Sequence, residues 1–477
     1  MSVSRRRNLG RSVLRRFRQL PPAACPMKFA SSTARTAFLI RGRAENFVCL
    51  LLAVSLALVA MPSLVLAQEQ TTLELPLPTG QTQAQSQDKH WTVTFDSNVS
   101  YFSTKTTAAG LPTVHSNVTY VPMGFGFVGN PNDDWKIEFG IRSGYQNIST
   151  RNGSNSPLPG VANTNYSGWV DTTVSNTITY LGFNGFQPFF SMNINAPTGN
   201  SFVPGAAGAN ASDPDVTQIA GFGTGWNYGP TLGVNIPLKS DLILTLSAGY
   251  TARERFVRVG STPGGPPQPG FGTIQDINPG DDLTLTSSLG YQSGAWSLQA
   301  TATYTLESTT RVDGANFFKQ GDSYQLSAAA GYAWNDAWSS KISTTFTHTS
   351  LNSFPTTTVG PVHGDFTLVL EQFDTNSNVT NVSFDTTYKV GRLSLGPSVT
   401  FLFRDHNGYT INSDQFVPAK TLWMAGGAFE YALNDRFSIN GRVQHVWAAV
   451  DLQDMAPLVP PMETTGWIYS IGGKAQF

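Results

Sequence analysis

The chain has 477 residues, of which 13% are charged, 40% hydrophobic and 12% aromatic, with 45 glycines and a formal net charge of -1. So few charges on so long a chain exclude an ordinary water-surrounded cytosolic enzyme, and the near-zero balance leaves no footprint of nucleic acid or another strongly charged partner. Part of the surface is therefore expected to face something other than water.

Residues 1–67 read as an export signal with an extended basic start. The one long apolar run, Phe47 to Ala67, follows Arg41 and Arg43 and closes on Val65-Leu66-Ala67, so cleavage is expected before Gln68. Pro62 argues against the alternative of a spanning helix, which needs about 20 apolar residues. Met27-Lys28 offers an alternative start. Both cysteines, Cys25 and Cys49, precede the cut, which excludes disulfides and Cys-ligated metal from the mature chain. Residues 68–89, rich in Gln, Thr and Pro without periodicity, read as a flexible periplasmic segment too short for a folded plug.

From 90 to 477 the chain alternates with period two in segments of roughly ten to sixteen residues, as tilted barrel strands require. Trp135, Ile137, Phe139 and Ile141 face one way and Lys136, Glu138, Gly140 and Arg142 the other. Leu242, Leu244, Leu246, Ala248 and Tyr250 alternate with mostly small, hydroxylated residues, as do Trp296, Leu298, Ala300, Ala302 and Tyr304. A soluble sandwich also alternates, but seldom over so many long strands with such small polar faces.

The connections carry a second signal. Short turns fall at Asn130–Asp133, Phe183–Gly185, Lys239–Asp241, Ser293–Ala295, Asn335–Ala337, Val390–Arg392 and Asn434–Asp435. Longer stretches rich in Gly, Pro, Asn and Ser intervene after every second strand, the larger ones being 152–166, 197–215, 257–279 and 352–377. Strict alternation of short and long connections predicts an all-β, transmembrane antiparallel up-and-down β-barrel of about 16 strands, with 14 and 18 as alternatives. Aromatics recur beside the short turns (Trp91, Trp135, Trp296, Trp338) and towards the other strand ends (Trp169, Trp423, Trp447, Trp467), forming two candidate girdles.

The last strand places Trp467, Tyr469, Ile471 and the terminal Phe477 on one face. With the export signal and the barrel pattern, this ending resembles the strand that bacterial outer-membrane barrels present to their assembly machinery. The porin-like resemblance covers 90–477. It implies residence in the outer membrane among lipid and lipopolysaccharide, and contact with the barrel-assembly machinery through Trp467, Tyr469, Ile471 and Phe477. It also allows a homo-oligomer. Asn195-Ala196-Pro197-Thr198-Gly199 further resembles the Pro-Thr-Gly element of aromatic-degradation outer-membrane transporters, although Pro and Gly are also ordinary strand breakers.

A barrel of this size leaves an aqueous lumen, so the expected function is passive or facilitated diffusion of small solutes. The alternatives are a non-conducting surface-binding or assembly barrel and, third, an outer-membrane hydrolase. Inward phasing nominates Lys136, Glu138, Arg142, Arg253, Arg255, Glu307, Lys341, Asp385, Lys389, Arg404, Glu430 and Arg442 as pore-lining. They would filter solutes through a transverse field or, individually, brace the wall as ion pairs. Arg253 and Arg255, near a strand's outer end, are candidates for attracting anions or, where that strand end has left the membrane, for solvated charges that select nothing. Asp405-His406 and His363 with Asp365 are the available acid-imidazole groupings, but no nucleophile motif surrounds them. No cofactor, catalytic residue or metal site is expected, since the remaining histidines lack ligand spacing.

Overall fold

A computed structural model describes residues 91–108, 113–152, 164–199, 223–259, 274–355, 367–410, 413, 416–450 and 462–477. The expected export signal, the 68–89 segment and the His363/Asp365 grouping lie outside the described residues. Every regular element among the described residues is a strand.

In chain order, β1 (Trp91–Ala108), β2 (Val114–Asn132) and β3 (Trp135–Asn152) are the long strands. They are followed by β4 (Thr164–Trp169), β5 (Thr172–Tyr180), β6 (Gln187–Ala196), β7 (Asn227–Lys239) and β8 (Leu242–Arg253). After β9 (Phe256–Val259) and β10 (Ile274–Asn278) come β11 (Asp282–Ser293) and β12 (Trp296–Glu307). Then β13 (Thr310–Val312) and β14 (Ala315–Phe318) precede β15 (Ser323–Ala333) and β16 (Trp338–Thr349). Finally β17 (Ser353–Pro355) and β18 (Leu368–Leu370) lead to β19 (Val379–Val390), β20 (Leu393–Arg404), β21 (Lys420–Ala432), β22 (Phe437–Val450) and β23 (Met462–Gln476).

The wall is a closed, antiparallel, up-and-down barrel. Its seventeen strands make sixteen staves, because β4 and β5 both pair with β3 and are two halves of one stave, interrupted at Val170-Asp171. All seven short turns read from the sequence fall at hairpins. The ring closes where β1 pairs with β23, and Val93 and Phe477 exchange both backbone hydrogen bonds, at 3.0 and 2.9 Å. Phe477 also packs edge-on to Phe437, 5.5 Å between centroids. Closure satisfies the backbone groups that an open sheet would leave at its edges.

The long connections carry regular structure of their own. Strands β9, β10, β13 and β14 form a separate four-stranded sheet at the long-loop end, and β17 pairs with β18. Prolines and glycines bound these short strands without preventing them from pairing.

The pleat sends alternate residues to opposite faces. Outward positions are apolar and exposed: Phe95, Phe125, Leu232, Leu285, Phe384, Trp423 and Val443 are representative. Inward positions are commonly hydroxylated, and the hydroxyls pair across neighbouring strands: Ser288 with Thr301 at 2.9 Å, Ser327 with Thr345 at 3.2 Å, and Ser383 with Thr400 at 3.2 Å. Small pairing hydroxyls satisfy one another on the wall without needing partners from the lumen.

Candidate functional site

Eleven of the twelve candidate pore-lining residues occupy inward positions in the wall. On β3, Lys136 Nζ lies 3.0 Å from Glu138 Oε1, a pair braced along one strand. Lys341 on β16 sits directly opposite Asp385 on β19, with Lys389 nearer the short turn. Arg142, Glu430 and Arg442 also face inward in the half of the wall nearer the short turns. Arg404 lies near the long-loop end of β20, opposite Lys420 of β21. Lys420 is a buried lysine that the sequence reading did not single out.

The charged cluster at the other end gathers three separate strands. Arg253 ends β8, Asp282 begins β11 and Glu307 ends β12, and antiparallel register places Asp282 opposite both Glu307 and Thr251. The Arg253 guanidinium pairs with Asp282, and its Nη1 lies 3.4 Å from Glu307 Oε2. The next carboxylate, Asp281, accepts the Arg253 backbone N–H at 2.9 Å, fixing the strand end.

Tyr250, Tyr304 and Tyr324 face outward just below this row. Tyr304 stacks obliquely on Tyr324 at 4.9 Å and donates to Asp322 Oδ2 at 2.7 Å. Glu307 lies three residues beyond Tyr304, past the segment bounded by the two aromatic rings. Burial pushes its carboxyl up to about 7, with Arg253 opposing the shift and Asp282 adding to it.

Arg255 is outside the wall. Its side chain is 70% exposed and is held by Asp276 of β10, so it belongs to the loop sheet and does not line the lumen. The strand has ended at Arg253, and inward phasing no longer applies. Both arginines are thus neutralised by acids, and Arg253 is shared between two. The geometry does not present the unopposed positive charge that attracting anions would need.

The inner wall holds a feature that period-two reasoning missed. Leu402, Leu422, Val446, Ala448 and Ile468 form a buried cluster, with Phe102, Val379 and Met424 packed against it. All point inward. Register extends the band from Phe102 to Val118 and from Val118 to Ile148, both buried. An apolar band therefore lines the inner faces of β19 to β23 and β1 to β3. Gln146, on the short-turn side of Ile148, is fully buried, and neither of its amide atoms has a hydrogen-bond partner. The available signal was the loss of alternation in Phe401-Leu402-Phe403, Leu422-Trp423-Met424 and Trp467-Ile468, which are apolar on both faces.

Pro197-Thr198-Gly199 sits at the long-loop end of β6, anchored to the interrupted stave. Buried Asp171 accepts N–H from Gly199 and Gly223, both at 2.9 Å, and from Thr224 at 3.0 Å. The Thr224 hydroxyl at 3.0 Å and the Asn195 amide at 3.3 Å complete the set. This carboxylate ties together the two ends of the 200–222 connection. The Asp405-His406 pair makes no comparable site: His406 Nδ1 contacts the neighbouring Asn407 carbonyl at 2.8 Å. At the carboxyl end, Trp467, Tyr469 and Ile471 face outward on β23, beside the closing seam.

No family model matches this sequence, and no curated protein matches it. Among solved structures, the chain is similar to the Pseudomonas putida toluene transporter TodX at 12% identity, covering 82% of this chain and 90% of that one, with a TM-score of 0.38. A Pseudomonas aeruginosa FadL homologue is matched at 8% identity over 81% and 90% of the two chains, TM-score 0.39. A mutant Rh. blastica porin is matched at 12% identity over 81% and 100%, TM-score 0.29.

Proposed function

We propose that this chain is an outer-membrane channel admitting small solutes by passive or facilitated diffusion, with its short turns in the periplasm and its long loops outside. One observation carries the reading: sixteen closed staves whose outward face is apolar and whose inward face is largely hydroxylated and charged. In water that polarity is inverted, whereas in a bilayer it is the favourable arrangement. Strand spacing of about 4.8 Å and a tilt of about 40° give a wall roughly 32 Å across between backbones, wide enough for a lumen after side chains are added. The inward charges of both signs provide a transverse field for selecting among solutes.

The alternative, a non-conducting barrel, is favoured by the buried apolar band, because inner-wall residues such as Leu422 are not water-lined. Single-channel recording of the folded protein in planar bilayers separates the two. Stepwise conductance supports the channel. Sustained silence, in protein that has demonstrably inserted, refutes it.

A further inference from the structure

In the exterior half of the wall, the outward-facing Lys and Arg side chains among the described strand residues are Lys105 of β1 and Arg151 of β3. They are not scattered. Lys105 is directly opposite His115 of β2, and His115 is directly opposite Arg151, so the three stand in one cross-strand row. All three are exposed. Strand spacing near 4.8 Å puts Lys105 and Arg151 about 10 Å apart, with the imidazole between them.

Their height is set by strand length. Strands β1, β2 and β3 have 18, 19 and 18 residues, whereas β8, β11 and β12 have 12 each. A crossing needs about 9 to 11 residues, so the three long staves project beyond the apolar band. Lys105 is four residues past outward Tyr101, roughly 10 Å higher at barrel tilt, and Arg151 is six past outward Tyr145. The row therefore lies at headgroup depth and faces lipid, not lumen. The nearest outward acid is Glu463 of β23. It is displaced by two positions from Thr465, the direct partner of Lys105, and leaves the row net positive.

We propose that Lys105, His115 and Arg151 bind the phosphate of a phosphorylated glycolipid in the outer leaflet, lipopolysaccharide. Lysine supplies a point charge and arginine a planar fork, and both suit phosphate oxygens. A net cationic row on the lipid-facing surface has no stabilising role in hydrocarbon, but gains energy beside anionic headgroups. The inference rests on the outer-membrane reading, but its test does not require conductance.

The protein is folded into phosphatidylcholine nanodiscs and titrated with fluorescently labelled lipopolysaccharide, beside the Lys105→Gln/Arg151→Gln double variant. Arg436→Gln, in a short turn at the opposite end, is the control. The expected result is a loss of roughly thirtyfold in affinity in the double variant, since each cation at a membrane surface is worth about fivefold, and no change in the control. Dephosphorylated lipopolysaccharide should bind as weakly to the parent as the phosphorylated form does to the double variant. Equal affinity of parent and double variant overturns the proposal, as does equal binding of the dephosphorylated lipid. Complete displacement by millimolar inorganic phosphate also overturns it, assigning the row to a free anion instead. Failure of the parent to incorporate into nanodiscs at all refutes the outer-membrane reading itself.

Discussion

Placing an arginine at Leu232 separates a lipid-embedded barrel from every water-soluble alternative. Leu232 is the sixth of thirteen residues in β7, points outward and is 67% exposed. Its neighbours across the strand pairs, Phe190 and Ala248, are also outward and apolar. Near mid-height of the wall, an arginine on the lipid face is expected to destabilise folding by about 2 to 4 kcal/mol. That is roughly 30- to 700-fold in the ratio of folded to unfolded protein, at tenfold per 1.4 kcal/mol. In water the same substitution would be neutral or favourable, since it replaces exposed hydrocarbon with a solvated charge. The inward neighbour Thr231 provides the paired control: its side chain lies over Gly249, which lacks a side chain of its own. Thr231→Arg should shift stability by less than about 1 kcal/mol, because its head reaches lumen water and not lipid. Denaturant titration in phosphatidylcholine vesicles, followed by tryptophan fluorescence, measures both variants. A Leu232→Arg protein as stable as the parent, or one no worse than Thr231→Arg, would refute the assignment of faces.

Two further outcomes follow from the long-loop end. Replacing Asp171 by Ala removes the acceptor for three backbone N–H groups, so amide exchange at Gly199, Gly223 and Thr224 should accelerate about a hundredfold, the effect of a local opening energy lowered by roughly 3 kcal/mol. Unchanged exchange would show that other contacts hold the connection. Glu307 has its folded carboxyl raised to about 7, from an ordinary value of 4.5. The folded protein therefore holds more protons than the unfolded one between those values, and stability should fall as pH rises from about 4.5 to 7 and level off above it. Glu307→Gln should flatten this part of the denaturation profile, and a slope that survives the substitution would locate the titrating group elsewhere.

Much of the wall was legible in the sequence because the pleat is a local property. A residue's face depends only on its parity along one strand, so Trp135, Ile137 and Phe139 could be assigned outward and Lys136 and Glu138 inward without knowing any partner strand. The hairpin at Asn434-Asp435 could be placed similarly, from residues whose side chains bond their own turn: Asn434 Oδ1 accepts the N–H groups of Arg436 and Phe437 at 2.8 and 3.0 Å. Arg255 falls outside the inward set because parity holds only while the strand continues, and β8 stops at Arg253, which favours the solvated-charge alternative for Arg255.

By itself, then, the sequence determined the alternation, the turns, the approximate number of staves and the aromatic ending that seals the ring. The tertiary structure alone decided which residues meet across strands. Arg253 is neutralised by acids 29 and 54 positions away. Lys105, His115 and Arg151 fall into one row, and apolar residues on eight staves become a continuous inner band. Those groupings depend on the register between strands and on closure of the ring. Both are fixed by backbone hydrogen bonding over long sequence separations, and neither leaves a trace in the period of any single strand.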